Sequence, residues 1–259
     1  MNRNFPSLFK QGHISTLKRM SHDEIFKIPT LDSLQPETRA IMKWVLDNPF
    51  SLSISFHGGA VGAFYPYDDG PSARNVLSPT PDNELMKHLS TIYASSHEDM
   101  HKGDACPKST HKFQNGISNG AQWYALSGGM TDFNYLFSNC FEITVELSCC
   151  KYPEEDRLEI QWRKNKNSLI HFIQSVHMGV KGIVTFQNGS RIHGAEIYVH
   201  GNEKIITSST NGEYWRLLLP GKYQMEVRYP TDYLAFSEVK EVEVTENEVV
   251  RKDFTIYMR

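Results

Sequence analysis

The chain has 259 residues, which is enough for one large domain or two smaller ones, each with a hydrophobic core. Its 39% hydrophobic and 12% aromatic residues are typical of a globular protein and exclude a disordered one. The formal net charge of -3, with both signs interspersed, provides no basic face, so we expect no nucleic-acid partner.

Targeting and membrane signals are missing from the sequence. No stretch approaches the roughly 18 to 20 unbroken apolar residues of a membrane helix, so no membrane span is predicted. Residues 1–13 contain neither an apolar core nor a small-residue cleavage site, and no signal peptide is expected there. Taken alone, these observations predict a chain that stays in the cytosol.

The first predicted elements are a helix and a strand. After a polar, irregular stretch to residue 34, proline and an acid at Pro36-Glu37 favour a helix that ends at Asn48-Pro49. Its expected buried stripe is Ile41, Met42, Trp44, Val45 and Leu46. Residues 51–57 alternate strictly, which predicts a strand with His57 at its C-terminal end.

Two predicted loops flank the next helix. Residues 58–70 contain glycines with aromatic and acidic residues, and we expect a loop there. Residues 81–96 predict a helix through Leu85, Met86, Leu89, Ile92 and Tyr93. Residues 97–129 predict a long loop, and loops of that length in compact domains are usually functional or disordered.

A second alternating segment, residues 141–148, predicts a strand with two acids on one face. Glu142 and Glu146 lie on that face, and apolar residues occupy the other. A helix is expected near residues 167–176, with its apolar positions inward: Leu169, Ile170, Ile173 and Val176.

From Gly179 onward, short alternating segments are separated by turn signals such as Asn188-Gly189, Asn211-Gly212 and Pro220-Gly221. The segments are residues 182–186, 195–199, 214–219, 223–229, 239–244 and 250–258. Six or seven strands in about 80 residues predict a small β-sandwich, with the domain boundary near residues 177–179.

Three segments share their order and spacing with one known family. They are Asn2-Arg3-Asn4-Phe5-Pro6, then His57-Gly58-Gly59 followed by Tyr65-Pro66-Tyr67-Asp68-Asp69, then Trp123-Tyr124-Ala125-Leu126-Ser127-Gly128-Gly129-Met130 running into residues 141–150. This arrangement resembles the zinc carboxypeptidases, specifically the regulatory branch of carboxypeptidases E, N, D and M. The resemblance implies an α/β fold. Residues 1–177 would form a truncated mixed-sheet carboxypeptidase domain flanked by helices, and residues 178–259 a small all-β transthyretin-like sandwich.

The resemblance implies a metallocarboxypeptidase that removes C-terminal Lys or Arg from peptides or proteins during processing, in the secretory pathway or outside the cell. In such enzymes two histidines and a glutamate hold zinc, and another glutamate takes a proton from water. His57 would be the third zinc ligand and Glu146 the general base. The alternative for His57 is a histidine that caps a buried strand. The alternative for Glu146 is a salt-bridged acid on a solvated sheet face. Glu142 matches no role, and we interpret it as such a solvated acid.

The resemblance also implies substrate contacts. Arg3 with Asn2 would bind the terminal carboxylate, since a planar guanidinium suits a bidentate acceptor. Tyr124 resembles a mobile tyrosine that closes over the substrate. Asp68 matches an acid that faces the basic side chain being removed, and a solvated loop acid is the alternative. Thr131 departs from the glutamine that this branch usually has after Gly-Gly-Met.

The family's HxxE ligand pair and its oxyanion-stabilising arginine should lie upstream of Asn2. We therefore expect zinc to be weakly bound or absent in this chain as written, and the chain to be inactive. His193-Gly194-Ala195-Glu196 has the HxxE spacing, but an alternating strand explains it. An incomplete gene model or a naturally shortened form would account for the difference.

With the resemblance, the four cysteines predict a disulfide rather than a metal site. The sequence contains Cys106, Cys140, Cys149 and Cys150 without a CxxC spacing, so no cysteine metal site is expected. The resemblance implies a Cys106–Cys149 disulfide, a buried thiol at Cys140 and an absent partner for Cys150. Two functional alternatives remain: a non-catalytic carboxypeptidase-like binding or interaction protein, and a chain in which only the β domain folds stably.

Overall fold

The structure is a computed structural model that describes residues 3–6, 34–70, 75–107, 109–229, 232–246 and 248–257. The chain divides into two compact units. The first comprises the described residues up to Asp47 together with Leu52–Ser175, and the second comprises Asn48–Ser51 together with Val176–Arg259. The main division follows Ser175, two residues before the end of the first domain predicted from the sequence.

The first unit combines a mixed sheet with helices. Its elements are α1 (Pro36–Asp47), β1 (Leu52–His57), β2 (Ala60–Tyr65), α2 (Asn83–Ser96), β3 (Ile117–Asn119), α3 (Gly120–Trp123), α4 (Met130–Phe137), β4 (Phe141–Ser148) and α5 (Leu158–Gln174). The four strands lie in the order β1–β4–β2–β3. β1 is parallel to β4, β4 is antiparallel to β2, and β2 is parallel to β3. The described part of this unit is therefore a mixed α/β fold.

The loop expected over residues 58–70 contains β2, so that expectation is wrong. All six residues of β2 are buried, and the strand is an inner strand of the sheet, between β3 and β4. A strand that is buried on both faces has a continuous apolar run rather than an alternating one. The long loop expected over residues 97–129 likewise contains β3 and α3, together with short 3₁₀ turns at Met100–Lys102 and Gln114–Gly116.

Two helices present different faces from those expected. Trp44 of α1 is 56% exposed, whereas Met42, Val45 and Leu46 are buried. The last helix of the unit, α5, begins at Leu158 rather than near residue 167.

The exposed face of α5 carries Ile170 and Ile173, the second of which is 62% exposed. The buried residues of α5 are Asn165, Ser168 and Phe172. Tyr93 of α2 explains this arrangement, since its hydroxyl donates to Asn165 Oδ1 over 2.8 Å and its ring lies 6.5 Å from that of Phe172.

The second unit is all-β. Its strands are β5 (Val180–Phe186), β6 (Glu196–Val199), β7 (Asn202–Thr207), β8 (Glu213–Arg216), β9 (Gly221–Tyr229), β10 (Asp232–Phe236), β11 (Lys240–Val244), β12 (Val250–Arg251) and β13 (Phe254–Ile256). One sheet has the order β10–β9–β6–β7 with β11 paired to β9, and the other has the order β12–β5–β13 with β8 paired to β5. A single core joins Val184 and Phe254 of one sheet to Ile197 and Val227 of the other. β7 and β10 were not predicted from the sequence.

A disulfide joins Cys106 to Cys149 at the end of β4, which is the pairing that the resemblance implied. Cys140 is a buried thiol and Cys150 an exposed one. No helix in the described ranges is both long enough and apolar enough to cross a membrane.

A buried histidine follows α2. His97 Nδ1 accepts hydrogen bonds from the backbone N–H groups of Asp99 and Met100 over 3.1 and 3.0 Å. The ring proton therefore lies on Nε2, which is buried without a hydrogen-bond partner among the described residues. Burial lowers the pKa of His97 from 6.5 to about 4, and Lys164 and His101 add to the effect while Asp99 and Glu98 oppose it. Protonation would require the Nδ1 acceptor to give up both bonds.

We predict that His97 makes the protein less stable in acid. The unfolded chain binds a proton at about pH 6.5 and the folded chain only near pH 4, so stability is complete above pH 6.5 and falls as the pH drops below it. The substitution His97→Asn keeps an acceptor and should remove about 2 kcal/mol of this pH dependence. Urea unfolding between pH 4.5 and 7.5 measures the slope of the unfolding free energy against pH. His111→Asn, at an exposed histidine, should keep the wild-type slope; the same slope in His97→Asn would contradict the prediction.

Candidate active site

Parallel pairing of β1 with β4 brings two predicted site residues together. In the register of these strands, His57 lies directly opposite Glu146. Side chains at paired positions of adjacent strands point to the same face of the sheet. The distance from His57 Nδ1 to Glu146 Oε1 is 3.8 Å. An imidazole and a carboxylate therefore meet at the C-terminal ends of two strands.

One cavity joins this pair to the other candidate residues. Its lining includes Arg3, His57, Asp68, Tyr124 and Glu146, together with Phe64, Gly120, Trp123, Leu126 and Thr144. All of these residues belong to the first unit. Asn2, the remaining candidate from the sequence, lies outside the described residues. The structure thus brings together five of the residues that the sequence singled out.

Burial shifts the protonation of both central groups. The pKa of Glu146 is raised to about 7 by burial, against the opposing charges of Lys151 and Arg3. The pKa of His57 is lowered, first by burial and then by Arg3 and Lys151. Glu146 Oε2 is buried and has no hydrogen-bond partner in the part of the chain that the structure describes. A neutral imidazole thus lies beside a carboxyl group that changes charge near neutral pH.

Arg3 reaches the cavity from a short anchored segment. Phe5 packs with Met42, Leu46 and Phe133, and its backbone N–H donates to Gly128 O over 3.1 Å. Gly128 has φ +78°, and a Cβ there would lie 2.6 Å from the Arg3 carbonyl oxygen. Only glycine accommodates both the positive φ and the close approach of the Arg3 carbonyl oxygen. The loop that contains Gly128 therefore fixes the position of Arg3 along the cavity.

Tyr124 covers the outer side of the cavity. Its side chain is 39% exposed, and its hydroxyl accepts a long hydrogen bond of 3.5 Å from Arg3 Nη2. The neighbouring Trp123 stacks on Phe64 with ring centroids 4.4 Å apart. A guanidinium and a phenol thus lie in contact in the lining of the cavity, an arrangement able to bind a carboxylate.

Asp68 is a buried residue and not a solvated loop acid, since only 7% of it is exposed. Burial raises its pKa to about 7, and the charges of Glu142 and Asp69 add to this while Arg3 opposes it. Room for the carboxylate comes from glycines: a Cβ at Gly120 would lie 1.8 Å from Asp68 Oδ1. Besides Glu146, the cavity therefore contains a second acid, Asp68, whose charge depends on the pH and on the charge of a ligand bound in the cavity.

The interpretation of Glu142 as a solvated, salt-bridged acid is wrong. Glu142 is fully buried and accepts hydrogen bonds from the side chains of Ser53, Thr131 and Asn134. Thr131 also shares a 2.9 Å hydrogen bond with Thr144 and is absent from the lining of the cavity. Glu142 thus anchors β1 and α4 to β4, and Thr131 serves the same network.

A catalytic zinc site uses three protein ligands and a water. Among the described residues, no group of three or more His, Cys, Asp or Glu side chains could hold a metal ion. Glu196 of the HxxE-like segment lies in β6 of the second unit, where its carboxylate accepts a hydrogen bond from Tyr198 Oη. The described residues therefore do not make a complete zinc site, and His57 offers one imidazole toward it.

Comparisons with known proteins agree on one family. The family model described as zinc carboxypeptidase matches residues 1–168, well over half of the chain. Carboxypeptidase D of Drosophila melanogaster is 44% identical over 99% of this chain, which spans 17% of that protein.

Two mouse relatives are similarly close. Carboxypeptidase M is 44% identical over 89% of this chain, and the carboxypeptidase N catalytic chain is 43% identical over 89%. The chain spans 49% and 51% of their respective lengths. A solved carboxypeptidase A from Helicoverpa armigera aligns with 67% of this chain and 40% of its own at 17% identity, but its TM-score of 0.44 is too low to carry an argument. With the family model matching most of its first unit and relatives this similar in sequence, the chain belongs to the zinc carboxypeptidase family.

Proposed function

We propose that the first unit carries part of the catalytic site of a metallocarboxypeptidase that removes C-terminal Lys or Arg from peptides or proteins. One observation supports this more than any other: a single cavity is lined by Arg3, His57, Asp68, Tyr124 and Glu146. These side chains offer a carboxylate clamp, a metal ligand, a proton acceptor and a negative charge. A C-terminal basic residue presents a carboxylate, a scissile amide and a cation to match them.

The proposed roles are divided among the residues that line the cavity. Arg3 binds the terminal carboxylate, and Tyr124 closes over it. Glu146 takes a proton from the attacking water, a task suited to a carboxyl group that titrates near neutral pH. His57, whose pKa is lowered by burial, would be the residue of this cavity that offers a neutral imidazole nitrogen to zinc. Asp68 pairs with the cationic side chain that is to be removed.

We further propose an oxidising environment and a transthyretin-like second unit. The Cys106–Cys149 disulfide supports folding in the secretory pathway or outside the cell, because disulfides persist in such compartments. Two sheets around one core, formed from nine short strands, support the transthyretin-like proposal for residues 178–259.

A binding protein without catalysis is the second candidate. It is favoured by the observation that the described residues include no group able to hold a metal ion. In that case Arg3, Tyr124 and Asp68 would still recognise a C-terminal basic residue, whereas His57 and Glu146 would be idle. Binding and turnover measured separately on one preparation distinguish the two candidates.

We predict that the 259-residue polypeptide by itself neither retains stoichiometric zinc nor hydrolyses a peptide with C-terminal arginine. The described residues offer one imidazole to such a site, which is too few ligands for tight binding. Zinc content after dialysis, and arginine release with zinc added, measure the two properties. Turnover that falls at least about 100-fold in Glu146→Gln would contradict this prediction and establish the chain as an enzyme. Glu159→Gln, at an exposed acid in the first turn of α5 that does not line the cavity, is the control.

We predict that the cavity binds free arginine through Asp68, and more tightly as the pH rises through about 7. The Asp68 carboxyl group must lose its proton to pair with the guanidinium, and its pKa is raised to about 7. Asp68→Asn should weaken arginine binding about tenfold at pH 8 and reduce its pH dependence to the part that Glu146 contributes.

Gly120→Ala should have the same effect, because its Cβ would occupy the space of Asp68 Oδ1. Calorimetric titration with arginine and with its neutral isostere citrulline measures both variants. Equal affinity for the two ligands in the wild-type chain would argue against a basic preference.

A further inference from the structure

Asp132 contacts Asp68 in a way that the sequence motifs did not suggest. It lies in the first turn of α4 and is 3% exposed. Its Oδ1 accepts the backbone N–H of Asp68 over 2.8 Å, and its Oδ2 accepts that of Asp69 over 2.9 Å. One carboxylate thus binds two consecutive peptide groups of the segment that carries the acid of the cavity.

The same segment is held on its carbonyl side. Leu126 N–H donates to Asp68 O, and Ala121 N–H donates to Tyr67 O, each over 2.9 Å. The Asp68 side chain then has little freedom, because a Cβ at Gly120 would lie 1.8 Å from Oδ1 and one at Gly129 would lie 3.1 Å from Oδ2. The direction of the Asp68 carboxyl group therefore depends on the position of its backbone.

Only a carboxylate satisfies both peptide groups. Asparagine has one acceptor oxygen, and its amide would face the other N–H donor with a donor of its own. The position disfavours the ionised form of Asp132, since burial and the neighbouring Asp68 both raise the pKa of Asp132 well above its ordinary value. An acid at this position keeps two backbone hydrogen bonds despite the proximity of a second acid.

Among the described residues, Glu146 is the only other acid that lines the cavity, and it lies beside His57. Glu142 does not line the cavity and accepts hydrogen bonds from three side chains. Thr131 hydrogen-bonds to Glu142 and Thr144 rather than lining the cavity. Recognition of a cation thus depends on how Asp68 is held.

We propose that Asp132 is a positioning residue, which fixes the backbone of Asp68 and Asp69 so that the Asp68 carboxyl group faces the cationic side chain of the ligand. The identity of that ligand rests on the proposed function. The positioning itself does not, since it concerns only contacts within the chain.

The test uses the full chain with Asp132→Asn, and with Asp132→Glu, which retains both oxygens but has the wrong reach. Amide hydrogen exchange measured by NMR should become about tenfold faster at residues 68 and 69 in both variants, with the amides late in α4 unchanged. Arginine affinity should fall about tenfold, and citrulline affinity should stay at the wild-type value.

Asp82→Asn is the matched control, because Asp82 is another buried aspartate of this unit and accepts a hydrogen bond from Tyr135 Oη over 2.9 Å. It should leave both measurements at their wild-type values. A merely structural role for Asp132 would weaken arginine and citrulline binding equally, and would overturn the proposal.

Wild-type exchange at residues 68 and 69 in both Asp132 variants would also overturn it. If the wild-type chain does not distinguish arginine from citrulline, the basic preference fails, and the exchange rates alone decide whether Asp132 positions Asp68.

Discussion

The parallel pairing of β1 with β4 is the constraint on which the site depends. It sets His57 opposite Glu146, and every other residue of the cavity lies around that pair. A shift of one residue in the register would turn one of the two side chains to the other face of the sheet. The register is held by more than backbone hydrogen bonds, because Glu142 of β4 accepts a hydrogen bond from Ser53 of β1. Glu142 thus helps to align Glu146 with His57.

Buried acids in this unit differ in how their oxygens are satisfied. Glu142 has three side-chain donors, and Asp132 has two backbone donors. Glu146, by contrast, has an oxygen without a hydrogen-bond partner among the described residues, and it faces the cavity. Buried polar groups are nearly always paired, so an unpaired one marks a place where a ligand or water belongs. The pattern of pairing separates acids that support the fold from an acid that is available for chemistry.

The sequence predicted the parts of the first unit that follow simple rules. Strict alternation identified β1 and β4, and the resemblance identified the residues at their ends. β2 was missed because both of its faces are buried, which removes the alternation. The inward face of α5 was assigned wrongly because Asn165 and Ser168, rather than isoleucines, are buried there. Asp132 was missed because α4 was not predicted from the sequence, so nothing placed this acid beside Asp68.

The anchored segment at residues 3–6 has a practical consequence. Phe5 is fixed in the core beside α1 and α4, and Arg3 lines the cavity only two residues earlier. The position of Arg3 in the cavity therefore depends on a side chain that does not itself line it. A loss of packing at Phe5 would release the guanidinium while leaving every residue of the lining unchanged.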